Sequence, residues 1–160
     1  MTMQVGDQIP TADLFVQTAR GPAVVSTIEL FRNKRVALFG VPGAFTRTCS
    51  AKHLPGFVAQ AEALQAKGID EVMCVSVNDA MVMDAWGQQH GAEGKVRMLG
   101  DALLNFTRAA GLEVDMSAKG YGARCRRFSM VVDNGVISHM HLEDPGEFGE
   151  TSAETLLEDL

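Results

Sequence analysis

The residues best suited to chemistry lie in one short segment, Pro42-Gly43-Ala44-Phe45-Thr46-Arg47-Thr48-Cys49. The apolar run before it, Val36 to Val41, predicts a buried strand that stops at Pro42 and Gly43. Helical spacing follows, so Cys49 is expected in or near a first helical turn. Free N–H groups and the helix dipole favour an anion there. Because the thiolate is the nucleophilic form of cysteine, this position favours a reactive sulfur.

Two neighbours of Cys49 fit such a role. Thr46, three residues earlier, can bring its hydroxyl alongside the sulfur and exchange a hydrogen bond with an incoming oxygen. Pro42 has no N–H and can screen the sulfur from water without competing for hydrogen bonds. The plain alternative is a buried, unreactive cysteine at the start of a helix. Cys49 alone does not decide between the two.

The wider pattern does decide. Pro-x-x-x-Thr-x-x-Cys, formed by Pro42, Thr46 and Cys49, resembles the active-site motif of the peroxiredoxins. The string from Val41 to Phe57 is similar to the type II, or peroxiredoxin-five-like, subfamily. Further matches are Val75-Ser76-Val77-Asn78-Asp79, Val82-Met83, Ala85-Trp86 and Arg127-Phe128-Ser129-Met130-Val131-Val132.

The resemblance implies a thioredoxin-like fold and a thiol-dependent peroxidase that reduces hydrogen peroxide and alkyl hydroperoxides. Cys49 would attack the distal peroxide oxygen and become a sulfenic acid while water or alcohol leaves. Arg127 matches the catalytic arginine, whose guanidinium can serve sulfur and peroxide together. Without the motif, Arg127 would be interpreted as a solvent-facing charge at a strand end. No cofactor or metal is implied beyond an external thiol reductant.

Arg47 departs from the family pattern, which has proline between the two threonines. Proline would stiffen the loop, whereas arginine frees it and adds a cation near the sulfur. We expect this difference to act on loop rigidity or on the approach of substrate, and not on whether the chemistry occurs.

The sulfenic acid must be reduced by another thiol. Cys74 lies within an apolar run and is expected to be buried and inert. Cys125 lies in a basic stretch and is expected to be more exposed, with its pKa lowered by neighbouring cations. Whether either cysteine resolves Cys49 is left open, since a disulfide needs Cα atoms within about 7 Å. We favour regeneration by glutathione or glutaredoxin, with thioredoxin as the second choice.

Other polar residues are expected to be structural. Arg124 and Arg126 are predicted to be solvent-facing charges that could attract an anionic reductant, with Arg126 on the opposite strand face from Arg127. His53, about one turn after Cys49, is predicted to be structural and not a general base. His139 and His141 share a strand face, and a polar surface is favoured there over a metal site. Phe45 and Trp86 are predicted to pack internally or at a dimer interface.

Two other functions use the same residues differently. A redox relay would oxidise one partner protein through Cys49 with little turnover of its own. A purely structural protein would clear no peroxide, and its Cys49 would be dispensable.

The elements around the segment predict one α/β domain over residues 1–160, with a mixed central sheet flanked by helices. Val36–Val41, a helix from Ser50 to Lys67 interrupted at Pro55-Gly56, and a strand from Val72 to Val77 form a strand–helix–strand unit. Such a unit is a parallel pair with a right-handed crossover, and Gly68 is its predicted helix cap.

The second half of the chain predicts further elements from caps and turns. Asn78 or Asp79 can begin a helix to about His90, and Asp101 can cap another from Ala102 to Ala110. A strand is predicted over Val96–Leu99. Asp133-Asn134-Gly135 predicts a hairpin between strands at Phe128–Val132 and Val136–Leu142. Thr151 with Glu154 predicts a capping box for a last short helix.

Composition restricts the partners. A net charge of −6 argues against general binding to nucleic acids and to anionic membranes. No apolar run approaches the ~20 residues that span a bilayer, and the first ten residues lack the pattern of a secretory signal. Three cysteines are too few for a secreted disulfide scaffold, so a cytoplasmic location is expected. Family likeness predicts a homodimer, with Phe45 and the Trp86 helix near the contact.

Overall fold

A computed structural model describes residues 1–160 as a mixed sheet flanked by helices. Its strands are β1 (Asp13–Thr18), β2 (Gly21–Ser26), β3 (Arg35–Val41), β4 (Glu71–Ser76), β5 (Arg97–Gly100), β6 (Glu113–Asp115), β7 (Ala123–Cys125), β8 (Phe128–Asp133) and β9 (Val136–Leu142). Its α-helices are α1 (Thr27–Phe31), α2 (Leu54–Ala66), α3 (Ala80–Gln89), α4 (Asn105–Ala109) and α5 (Ala153–Glu158). A π-helical turn (Cys49–His53) precedes α2, and a 3₁₀ turn spans Ser117–Lys119.

Seven strands form the main sheet in the order β2-β1-β5-β4-β3-β8-β9, and β6 with β7 forms a separate two-stranded sheet. Strand β3 pairs in parallel with β4 and antiparallel with β8. This pairing confirms the predicted parallel strand–helix–strand unit and the mixed sheet. Because Gly40 of β3 lies opposite Phe128 of β8, the same register brings Arg127 level with Val41, where the chemical segment begins.

Alternating side chains of the central strands face two separate cores. Val36 and Leu38 contribute to one core cluster, whereas Ala37 and Phe39 contribute to the other. Cys49 belongs to the second cluster, together with residues of α2, α3 and α5. Gly40 is a glycine because a Cβ there would lie 2.1 Å from the Phe128 ring. No helix of the structure has both the length and the apolar character needed to cross a membrane.

The helix after the chemical segment differs from the prediction. Helical backbone begins at Arg47, opens into the π-helical turn at Cys49 and continues without interruption through α2. Pro55 does not break the helix; it is the second residue of α2, which follows directly on the π-helical turn, whose wider hydrogen-bond spacing accommodates it. Gly68 follows the helix with a φ of 96°, as the predicted cap requires.

Two predicted caps are wrong in detail. The Asp101 carboxylate accepts hydrogen bonds from the backbone N–H groups of Phe106 and Thr107, yet α4 begins only at Asn105. Left-handed backbone at Leu104, with a φ of 57°, delays the helix. Ser152 and not Thr151 caps α5, by accepting a hydrogen bond from the Thr155 backbone N–H.

The other predictions in the second half agree with the structure. Asp79 caps α3 through the backbone N–H of Val82. The turn between β8 and β9 has positive φ at Asn134 and Gly135, as expected for this hairpin. The β1–β2 hairpin and the β6–β7 sheet were not predicted.

Candidate active site

Cys49 is the first residue of the π-helical turn, and its side chain is completely buried. The Arg127 guanidinium donates from Nη2 to the Cys49 sulfur over 3.2 Å. These two residues are 78 positions apart in the sequence. The β3–β8 register brings them together, because the segment after β3 and the residue before β8 lie at the same end of the sheet.

Arg127 is itself held in place on several sides. Its side chain is almost fully buried, and Nη1 lies 2.9 Å from Nδ1 of His53. Its guanidinium carbon lies 5.7 Å from the centre of the Phe148 ring. Its carbonyl accepts a hydrogen bond of 3.0 Å from the Glu143 backbone N–H. A guanidinium held this way presents its remaining donors in a defined direction.

His53 is neutral and its tautomer follows from its partners. Burial, and then the charge of Arg127, lower the pKa of His53 to about 3. Nε2 lies 2.9 Å from the Thr151 carbonyl, which can only accept, so Nε2 carries the proton. Nδ1 therefore accepts the hydrogen bond from Arg127. His53 thus orients the arginine, and its position one turn after Cys49 was the only sequence signal.

The carboxylate of Glu143 stabilises the loop that carries Thr151. It accepts hydrogen bonds from the Gly149 N–H at 2.7 Å, the Thr151 N–H at 3.0 Å and the Thr151 hydroxyl at 2.9 Å. Burial alone would raise the pKa of Glu143, but these bonds lower it below its usual value. A chain of contacts therefore leads from Glu143 through Thr151 and His53 to Arg127. Sequence reasoning missed Glu143 and Thr151.

The predicted residues Pro42 and Thr46 lie with Arg127 around one open cavity of about 220 Å³. The Thr46 hydroxyl donates to the Gly43 carbonyl over 2.7 Å, which leaves its oxygen lone pairs free to accept. The backbone N–H of Ala44 donates to the Asn78 side chain over 2.9 Å. The structure therefore brings the four predicted site residues to one end of the sheet.

Cys125 contradicts the prediction. It is completely buried in the core cluster opposite to that of Cys49, and its thiol donates to the Arg126 carbonyl over 3.3 Å. Burial raises the pKa of Cys125 to about 12. The charge of Arg126 acts to lower this pKa, but burial outweighs it because β7 turns Cys125 into the core. Cys74 is buried as predicted, and burial raises its pKa well above the usual value.

The two flanking arginines are also not free surface charges. Arg124 donates from Nη1 to the Pro42 carbonyl over 2.8 Å. Arg126 donates from Nη2 to the Glu143 carbonyl over 3.1 Å. Arg126 and Arg127 line the same cavity, contrary to the prediction, because they lie between β7 and β8 and do not follow strand alternation.

The remaining candidates have separate places in the fold. Trp86 is fully buried and its indole N–H donates to the Ser50 hydroxyl over 2.9 Å, so it is a packing residue. Phe45 is half exposed, at a positive φ of 64°. His139 contacts the Ser138 hydroxyl and His141 contacts the Asp159 carboxylate. No three His, Cys, Asp or Glu side chains are grouped so as to hold a metal ion.

Comparison with known proteins identifies the family. The redoxin family model matches residues 4–157. Peroxiredoxin-2E-2, a chloroplastic protein of Oryza sativa subsp. japonica, is 46% identical over 99% of this chain and 73% of its own length. Peroxiredoxin-2C of the same plant is 45% identical over 98% of this chain and 97% of its own length.

Solved structures agree. Reduced Prx3 of Vibrio vulnificus in complex with hydrogen peroxide superposes with a TM-score of 0.94 and 44% identity, over 99% of each chain. A crystal structure from Burkholderia cenocepacia, provisionally called a thioredoxin reductase, superposes with a TM-score of 0.97 and 48% identity over 100% and 99% of the two chains. The three cysteines of this chain include no Cys-x-x-Cys pair, so that description is not carried over to it.

Three findings agree. The redoxin model matches nearly the whole chain, the relatives are more than 40% identical, and the solved structures share the thioredoxin-like fold. The chain belongs to the redoxin family and, within it, to the type II peroxiredoxins, which are thiol-dependent peroxidases.

Proposed function

We propose that Cys49 is the peroxidatic nucleophile and that Arg127, Thr46 and Pro42 complete its site. The observation that carries this proposal is the 3.2 Å contact between the Arg127 guanidinium and the Cys49 sulfur. A fixed cation at a buried sulfur stabilises the thiolate, which burial alone would disfavour. Neither of the other two cysteines has such a contact.

In the first half-reaction, the Cys49 thiolate attacks the distal oxygen of hydrogen peroxide or an alkyl hydroperoxide. The S–O bond forms as the O–O bond breaks, so sulfur loses two electrons and the peroxide gains them. Arg127 donates to the leaving oxygen, on which negative charge builds, and that oxygen takes up a proton as water or alcohol. Thr46 orients the peroxide by accepting its O–H, since its own proton is engaged by Gly43.

In the second half-reaction, an external thiol reduces the sulfenic acid. Glutathione forms a mixed disulfide with Cys49 and releases water, and glutaredoxin or a second glutathione then takes up the glutathione to restore the thiol. Thioredoxin is the second candidate. The burial and raised pKa values of Cys74 and Cys125 favour an external reductant over an internal disulfide. The electrons come from thiols, so no prosthetic group is needed.

The expected setting is a reducing cytoplasm and a homodimer. Three free cysteines are compatible with the first expectation, and the exposed ring of Phe45 is compatible with the second. Light scattering of wild type and Phe45→Ser would test the assembly, with a monomeric wild type contradicting the dimer. The acidic net charge agrees with a function that involves neither nucleic acid nor a membrane.

Mass spectrometry after one equivalent of peroxide tests the cycle. Wild type, Cys74→Ser and Cys125→Ser are each oxidised in the presence of dimedone, which traps sulfenic acids. The trapped adduct is expected at Cys49 in all three proteins. An internal disulfide in wild type that one of the two serine variants loses would contradict external reduction and identify the resolving cysteine.

A further inference from the structure

Arg124 reaches from β7 across to the segment that leads to Cys49. Its Nη1 donates to the Pro42 carbonyl over 2.8 Å, and its Nε donates to the Tyr121 carbonyl over 3.0 Å. Its guanidinium carbon lies 4.9 Å from the centre of the Tyr121 ring. Tyr121 therefore fixes the Arg124 guanidinium at Nε, and its Nη1 end is directed at Pro42.

Gly43 provides the matching surface for this guanidinium. A Cβ on Gly43 would lie 2.1 Å from Nη1 of Arg124 and 3.2 Å from Cγ2 of Thr46. The first distance is too short for any real contact, so Arg124 packs directly on the backbone of Gly43. The contact therefore needs both residues, a glycine at position 43 for space and an arginine at position 124 to fill it.

Residues 42–46 form neither helix nor strand, so side-chain contacts hold much of this loop. Asn78, which follows β4, accepts a hydrogen bond from the backbone N–H of Ala44, and Arg124 of β7 donates to the Pro42 carbonyl. The loop carries Pro42 and Thr46 and passes directly into the helical turn of Cys49. Strands β6 and β7 have three residues each and pair only with each other, and β7 places Arg124 over the loop.

We propose that Arg124 is a positioning residue that holds Pro42 and Thr46 in register with Cys49 and keeps the loop closed during peroxide attack. The proposal rests on Cys49 being the peroxidatic nucleophile. Because Cys49 is completely buried, a reducing thiol can reach its sulfenic acid only after a local opening, and the proposal assigns that opening to this loop. Loss of the Arg124 contact therefore slows oxidation of Cys49 and speeds reduction of its sulfenic acid.

Two variants remove the contact from opposite sides. Arg124→Met removes the donors and the charge, whereas Gly43→Ala keeps the arginine and displaces it. Arg124→Lys retains the charge and one donor to Pro42. Arg20→Met is the matched control, since Arg20 is exposed in the turn between β1 and β2. Each half-reaction is followed in a stopped-flow instrument by Trp86 fluorescence, because the single tryptophan is hydrogen-bonded to Ser50 beside the nucleophile.

Arg124→Met and Gly43→Ala are each expected to slow oxidation by hydrogen peroxide about tenfold, since small displacements of reacting groups are costly. Both are expected to speed reduction of preformed sulfenic acid by glutathione at least twofold. The oxidation and reduction rates of Arg124→Lys should lie between those of wild type and those of these two variants. The rates of Arg20→Met should match those of wild type. The double variant should be no slower in oxidation than the slower single variant, because both changes remove one contact.

Three results would overturn the proposal. Oxidation within twofold of wild type in both variants would show that the contact does not position the site. A parallel fall in both half-reactions would indicate general damage to the fold. Additive losses in the double variant would show that residues 43 and 124 act separately. If Arg124→Met does not fold, Arg124→Lys and Gly43→Ala carry the test. Absence of sulfenic acid at Cys49 in wild type would instead refute the proposed function.

Discussion

Cys49 and Cys125 are equally buried and both lie close to an arginine, yet the two sulfurs have opposite hydrogen-bond partners. The Cys49 sulfur accepts a hydrogen bond from the Arg127 guanidinium in the core cluster that contains α2. The Cys125 thiol donates to a backbone carbonyl in the opposite cluster. A donor at the sulfur favours the thiolate, whereas an acceptor favours the protonated thiol.

Proximity in sequence to cations is therefore a poor guide to thiol reactivity. Cys125 has Arg124 and Arg126 as near neighbours, and its pKa is still raised to about 12 by burial. Arg127 is 78 residues from Cys49 and reaches its sulfur through strand pairing. The direction in which the guanidinium points decides the outcome, and only the fold determines that direction.

The largest difference in peroxide consumption is expected between two variants in which one cysteine is replaced by serine. Cys49→Ser is expected to lower peroxide consumption with glutathione and glutaredoxin by about 1,000-fold or more, because it removes the nucleophile. Cys125→Ser should retain activity and lose about 1–3 kcal/mol of stability, since it buries a hydroxyl in an apolar core. Peroxide consumption and urea unfolding measure these effects. Strong loss of turnover in well-folded Cys125→Ser would contradict the view that Cys125 takes no part in the reaction.

Removing the cation should have the next largest effect. Arg127→Gln is expected to slow Cys49 oxidation by about 100-fold or more, because it removes a preorganised charged donor. Stopped-flow oxidation at several peroxide concentrations measures the rate constant. Arg20→Gln, an exposed arginine far from the site in sequence, is the control. An unchanged rate in Arg127→Gln would mean that the 3.2 Å contact with sulfur has no catalytic role.

His53 supports Arg127, so its removal should have a smaller effect with a distinctive pH dependence. His53→Leu is expected to slow oxidation about tenfold, since the arginine loses one orienting contact. Because the folded pKa of His53 is about 3, the unfolded chain binds the proton first as the pH falls. Wild type should therefore lose stability from about pH 6.5 towards pH 3, at up to about 1.4 kcal/mol per pH unit.

Urea unfolding of wild type and His53→Leu across this range isolates the contribution of the histidine. The carboxylate of Glu143, whose pKa is lowered by its hydrogen bonds, titrates in both proteins, so the difference between their two slopes is the relevant quantity. Identical slopes would show that His53 is not held neutral in the folded protein.

The smallest effect is expected at Arg47. Helical backbone begins at this residue, and proline is well accommodated at a first helical position. Arg47→Pro should raise stability by about 0.4–1 kcal/mol through the unfolded chain. We expect the peroxide rate to change by less than about threefold, measured by the same stopped-flow experiment. A change below twofold would make Arg47 no more than a surface residue, whereas a large loss would make it part of the site.

Features that depend on a local pattern or a motif could be predicted from the sequence. The strand before Pro42, the hairpin at Asn134-Gly135 and the α3 cap at Asp79 were predicted because short-range chemistry specifies them. The family resemblance and the fold were predicted from the motif around Cys49, and the comparisons confirm both. The structure places Thr46 and Pro42 with Arg127 around one cavity, and their catalytic roles stay predictions.

What could not be predicted depends on contacts between distant residues. The burial of Cys125 follows from β6 and β7, which are too short to leave a pattern in the sequence. The delayed start of α4 depends on one left-handed residue, Leu104. The contact between His53 and Arg127 spans 74 residues and requires the β3–β8 register. Glu143 gave no signal, because three donors from a loop define its role.

The sequence separation between Cys49 and Arg127 also has a consequence for the newborn chain. At a synthesis rate of roughly 5–20 residues per second, a ribosome adds Arg127 about 4–16 s after Cys49. Strand β8 must then leave the ribosome and pair with β3 before the guanidinium can reach the sulfur. Throughout this interval the Cys49 thiol lacks its contact with the Arg127 guanidinium. If Cys49 is the nucleophile as proposed, its activating contact forms only as the protein completes its fold.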